Sequence, residues 1–94
     1  MPRKFADRRT ERFAAGERIP AFTAVERKAE GRLQYLLAAE SLQDLRVMPG
    51  WRLEALKGDR QGQWSIRIND QWRICFVWDD RLGQPVEIEI VDYH

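Results

Sequence analysis

The sequence predicts an α+β fold in which two N-terminal helices pack on an antiparallel β-sheet of four to five strands, and three observations carry that expectation. Apolar residues recur at helical spacing between Thr23 and Glu40. From Leu53 onward the apolar period changes to two, as it does when alternate side chains face opposite sides of a sheet. The links between the alternating segments are short, and short links join antiparallel neighbours because parallel ones need a crossover of about a dozen residues or more.

Taken in order, Lys4 and Phe5 are expected to close a short opening strand. Asp7 can cap a helix running to Ala15, which Gly16 ends in the left-handed conformation that glycine tolerates. The next helix, Thr23 to Glu40, opens on Thr23-Ala24-Val25-Glu26 as a capping box and presents Val25, Ala29, Leu33, Leu36, Leu37 and Glu40 along one stripe. Ser41 to Leu45 adds one more turn, and Met48-Pro49-Gly50 breaks the chain before the β region. The strands follow from their apolar phases: Leu53 and Ala55; Trp64, Ile66 and Ile68; Trp72, Ile74, Phe76 and Trp78; Val86, Ile88 and Ile90. A hairpin centred on Asp70 sets Arg67 opposite Arg73, Ile66 opposite Ile74 and Trp64 opposite Phe76.

Residues 1–94 are expected to form one domain, since the chain has no linker, repeat or low-complexity tract and its length suits a single small core. Its net charge of +1 gives no global signature of a nucleic-acid binder. The charge is nevertheless uneven: nine basic and five acidic residues in 1–32, seven and ten in 33–94. One cysteine, Cys75, and one histidine, His94, exclude an internal disulfide and a Cys/His zinc set. The basic N-terminus is followed by no apolar run of signal or membrane-spanning length, so a cytoplasmic protein without membrane contact is expected.

The stretch Leu56 to Arg73 gathers Lys57, Arg60, Arg67 and Arg73 on one β surface. Cations directly opposite each other cost a few tenths to about 1 kcal/mol, so Arg67 and Arg73 call for an anion. A phosphate, a partner's carboxylates and the chain's own acids all qualify. Lys57-Gly58-Asp59-Arg60 reads equally as a charged turn, with Gly58 at positive φ. Trp64, Trp72 and Trp78 fall on the apolar phase and are expected in the core, whereas Trp51 is out of register and stays unassigned. Cys75 shares the phase of Arg73 and reads as an ordinary half-buried strand cysteine. The last strand runs without a spacer into Asp92-Tyr93-His94, which would bring an acid, a phenol and an imidazole onto the sheet. Those groups suit acid–base work on a phosphodiester.

Leu56-Lys57-Gly58-Asp59-Arg60, Gly62, Trp64-Ser65-Ile66, Trp72-Arg73-Ile74, Phe76 and the closing Val91-Asp92-Tyr93-His94 together resemble the HigB-type toxins of bacterial type II toxin–antitoxin systems, in the RelE/ParE superfamily. The likeness is dense from Pro49 to His94 and thinner but compatible through the N-terminal helices. It implies a ribosome-dependent, metal-independent endoribonuclease that cleaves messenger RNA, inhibits translation and needs no cofactor. It further implies catalytic roles for Lys57, Arg73, Asp92, Tyr93 and His94, and RNA-binding roles for Arg60, Arg67 and Trp72. Where well-known members carry a histidine this chain has Glu54, which removes an imidazole or passes its acid–base role to a carboxylate. The implied partners are a helix-turn-helix, HigA-like antitoxin, the ribosome with its messenger, and operator DNA reached only through the antitoxin. Two other readings share the fold: a ParE-like inhibitor of DNA gyrase, and a weak toxin acting mainly through antitoxin binding and control of its own operon.

Overall fold

Helix, helix, helix and then a four-stranded meander is the order found in the computed structural model, which describes residues 2–92. Helix α1 spans Arg8–Ala14, α2 Glu26–Ala38 and α3 Leu42–Arg46. Strands β1 (Glu54–Ala55), β2 (Trp64–Arg67), β3 (Trp72–Asp79) and β4 (Gln84–Asp92) form one antiparallel sheet in sequence order. The α+β expectation is met.

Asp7 caps α1 as predicted, its carboxylate accepting from Thr10 N at 3.1 Å, and Gly16 follows the helix at φ +98°. The capping box at Thr23 does not form. Pro20 starts a 3₁₀ helix, Pro20–Val25, that runs directly into α2, so Thr23 lies inside a helical turn and its hydroxyl donates to Pro20 O at 2.9 Å. Of the predicted stripe, Val25, Ala29, Leu33 and Leu36 are buried and Leu37 packs partly against them. Glu40 lies beyond the end of α2 and is exposed. Each fully buried leucine contributes on the order of 2 kcal/mol.

The helices cover the sheet face that carries Ile66, Trp72, Ile74, Phe76, Ile88 and Ile90. Trp51, unassigned in the sequence, joins this core, with Tyr35 edge-on at 5.1 Å and the Arg32 guanidinium 5.3 Å from its ring centre. The apolar phase expected for β1 is met at Leu53, which packs partly against the core, but Ala55 is not covered. Ala55 stays exposed because β1 is a two-residue edge strand, whereas Leu56 is buried on the other face beside Cys75 and Val91.

The opposite edge, β4, is closed by the N-terminal segment. Phe76 lies opposite two residues of β4, Glu87 and Ile88, and Glu87 takes φ +51° at this bulge. The bulge turns Glu87 N and Ile88 N outward to Arg3 O (2.7 Å) and Lys4 O (3.0 Å), and Ala6 N reaches Ile88 O at 2.8 Å. The predicted opening strand is therefore a single parallel bridge, Phe5 with Ile88. Further along, the buried Thr10 hydroxyl accepts from Ile90 N at 3.1 Å, so α1 continues the cover over an edge that would otherwise invite another chain.

Candidate functional site

The face of the sheet turned away from α1 and α2 is built by alternation. In β2 and β3 the core takes Ile66, Ile74 and Phe76, which leaves Ser65, Arg67, Arg73 and Cys75 on the other side. The register is the one the hairpin predicted: Arg67 opposite Arg73, Ser65 opposite Cys75, Trp64 opposite Phe76. Strand β1 adds Glu54, the Cα partner of Ser65, and β4 adds Glu89 and Val91, the partners of Cys75 and Arg73.

Arg73 stands at the middle of this face. Its Nη1 donates to the buried Ser65 Oγ at 2.9 Å and its Nη2 to Glu54 Oε1 at 3.1 Å. Its side chain is 16% exposed against 54% for that of Glu54, so a held cation meets a loosely held carboxylate. Two further ion pairs flank it. Arg60 pairs with Glu89 at 3.3 Å and bonds Gln63 Oε1 at 3.1 Å, while Arg67 bonds the fully exposed Asp70. The anion that the cross-strand arginines demanded is thus supplied, in this structure, by the chain's own acids. Exposed pairs of this kind are worth about 0–1 kcal/mol and are weakened by salt.

Lys57 precedes the 3₁₀ turn Gly58–Arg60, in which Gly58 takes φ +65°, and is exposed. Asp92, at the end of β4, is the Cα partner of Trp72, one place beyond the partner of Arg73, and accepts from Gln71 Nε2 at 2.9 Å. Tyr93 and His94 lie outside the described residues. Trp72 lies on the core face, 9% exposed and edge-on to Phe22 at 5.5 Å, as its strand phase predicts. Its neighbour Arg73 points the other way because side chains alternate.

Cys75 is fully buried beneath this face, and burial pushes its thiol up to about 11. It is a structural cysteine, not a nucleophile. Among the described residues no three His, Cys, Asp or Glu side chains stand close enough to share a metal ion. Groups overlooked in the sequence are Ser65, Glu89, Arg32 and Arg52. The hairpin register and strand phase contain the first two; the last two depend on how α2 and the segment before β1 dock on the sheet.

A family model described as the RelE-like toxin of the type II toxin–antitoxin system HigB matches residues 3–94. The toxin HigB-1 of Vibrio cholerae serotype O1 is 37% identical over 87 residues, which cover 88% of this chain and 90% of that protein. The endoribonuclease HigB of Proteus vulgaris is 41% identical over 44 residues, 47% of this chain and 46% of that one.

Proposed function

The chain belongs to the HigB-like family of RelE-like toxins from type II toxin–antitoxin systems, and on that premise we propose that it is an endoribonuclease that cleaves messenger RNA on the ribosome and so halts translation. The observation that carries this reading is Arg73, oriented by Ser65 at the centre of a cationic face and paired with the half-exposed carboxylate of Glu54. The relative from Proteus vulgaris is itself named an endoribonuclease.

In the proposed reaction the 2′-hydroxyl attacks the adjacent phosphorus, forming a bond to it as the bond to the 5′-oxygen breaks. The products are a 2′,3′-cyclic phosphate and a 5′-hydroxyl. Arg73 and Lys57 neutralise the charge that builds on the non-bridging oxygens, a fixed-donor role that requires no metal. Glu54 gives up Arg73 to the incoming phosphate and, once unpaired, takes the 2′-hydroxyl proton. His94 delivers a proton to the leaving 5′-oxygen, with Asp92 orienting it and Tyr93 contacting the substrate. An imidazole, ordinarily titrating near 6.5, suits that exchange at neutral pH. The ribosome supplies the reactive geometry of the messenger.

The test compares cutting of free RNA with cutting of messenger on translating ribosomes at equal protein concentration. Much faster cutting on ribosomes is expected, and equal rates on both overturn the ribosome-dependent scheme. Glu54→Gln separates the two roles of that carboxylate: RNA binding should tighten about two- to fivefold as Arg73 is released, while single-turnover cleavage slows by at least tenfold as the base is lost. Tighter binding with unchanged cleavage would leave Glu54 as a competitor only and favour a toxin restrained by its own ion pair.

The family implies an antitoxin partner. A helix-turn-helix, HigA-like protein that carries the toxin to operator DNA fits the proposal. No helix among the described residues is long and apolar enough to cross a membrane, in keeping with the cytoplasmic site of action proposed for a ribosome-directed toxin.

A further inference from the structure

The end of the β2–β3 hairpin holds a second group of charges that the proposed cleavage does not use. Arg67 contacts Asp70 across the turn. Arg67 N donates to Trp51 O at 2.6 Å, next in sequence to Arg52, and the hydrogen bond and charge of Arg67, with a smaller contribution from the charge of Arg52, hold the Asp70 carboxyl below its ordinary range. From below, Arg32 Nη1 donates to Arg67 O and Ile68 O, both at 2.6 Å, with its guanidinium against Trp51. Arg67 and Arg52 therefore act on one carboxylate, while Arg32 is held at the backbone of Arg67, its basicity depressed by burial together with the charge of Arg67.

Two features show that this arrangement is not turn chemistry. The turn is already fastened by Asn69, whose Oδ1 accepts from Gln71 N at 2.8 Å and Trp72 N at 2.7 Å. Asp70 is left with a side chain 99% exposed and bonded to Arg67. Arg52, in addition, holds φ +49°, a left-handed conformation that glycine or asparagine takes more readily. An arginine kept where the backbone disfavours it, beside a carboxylate that the fold does not need, is an anion site with its own anion in place.

We propose that Arg52 and Arg67 bind a backbone phosphate of the RNA next to the one held by Arg73, and that Asp70 occupies this subsite until RNA displaces it. Arg67 lies directly across from Arg73, about 5 Å away at Cα, so a strand anchored at Arg73 carries a neighbouring phosphate past it. Guanidinium groups match phosphate with two parallel hydrogen bonds, and a fully solvated aspartate is a weak competitor. The inference rests on the reading of this face as RNA-binding, and makes Asp70 the residue that sets its affinity.

The test measures binding of a fluorescent 12-nucleotide RNA by anisotropy across a salt series, using the full chain. Asp70→Asn should tighten binding about two- to fivefold. Arg52→Asn, which keeps a residue suited to φ +49°, should preserve the melting temperature, weaken binding by a similar factor and lower the salt slope by about one. If Arg73→Ala weakens binding but Asp70→Asn and Arg52→Asn do not change it, the subsite is overturned and the RNA face stands. If the protein binds no RNA, both fall. Equal affinity for an oligoglutamate of the same charge also overturns the subsite, assigning the cluster to an acidic protein segment.

Discussion

Replacing Arg73 with alanine is expected to slow messenger cleavage by about 100-fold or more, since loss of one preorganised donor to a developing oxyanion costs on the order of 3 kcal/mol. Part of the effect will be structural. Ser65 Oγ is buried and accepts from Arg73 Nη1, and leaving it without that donor costs about 1–3 kcal/mol of stability. Cleavage must therefore be compared per folded molecule, with the folded fraction read from a thermal melt. Arg73→Lys separates charge from geometry: an ammonium keeps the charge but cannot hold Ser65 and Glu54 as a guanidinium fork does, so intermediate activity is expected. Cleavage by Arg73→Ala equal to the parent rate, measured on translating ribosomes, would remove this arginine from the mechanism.

The second large effect is on stability. Trp72→Ala should destabilise the fold by about 3–5 kcal/mol, a large share of the roughly 5–15 kcal/mol that holds a small domain together. The indole packs edge-on to Phe22, and the Arg9 guanidinium lies over both rings, 4.9 Å from the centre of Phe22 and 5.9 Å from that of Trp72. Trp72→Phe keeps an aromatic ring in that place and should recover most of the loss. Chemical denaturation of the three proteins gives the ranking, and RNA binding by the folded fraction of Trp72→Phe should match the parent. A selective loss of RNA affinity in that variant, with stability intact, would return Trp72 to the binding surface.

The contrast between these neighbours shows what could be read before folding. Strand alternation alone separates Trp72 from Arg73, and the symmetric turn at Asp70 alone places Arg67 opposite Arg73. Both depend on period and loop length, which are local. The family resemblance added RNA-binding to Trp72 against that periodicity, and the core placement of its ring favours the periodicity. The capping box failed for an equally local reason, because Pro20 began a helical turn before Thr23 could cap one. Ala55 keeps its phase but stays exposed, because a two-residue strand at the sheet edge is too short to be covered there.

The sequence by itself determined the α+β class, the order and register of the central hairpin, the shared face of Arg67 and Arg73, and the family. Each of these is encoded in contiguous spacing. Only the tertiary structure decided which anion answers the cations: Glu54 reaches Arg73 from 19 positions away and Glu89 reaches Arg60 from 29, while Arg32 and Arg52 join Arg67 through the docking of α2 and the segment before β1. Charge pairing depends on distance in space, and no periodicity along a chain fixes the distance between side chains on separate elements. The cationic face is therefore legible in the sequence, and its built-in counter-anions are not.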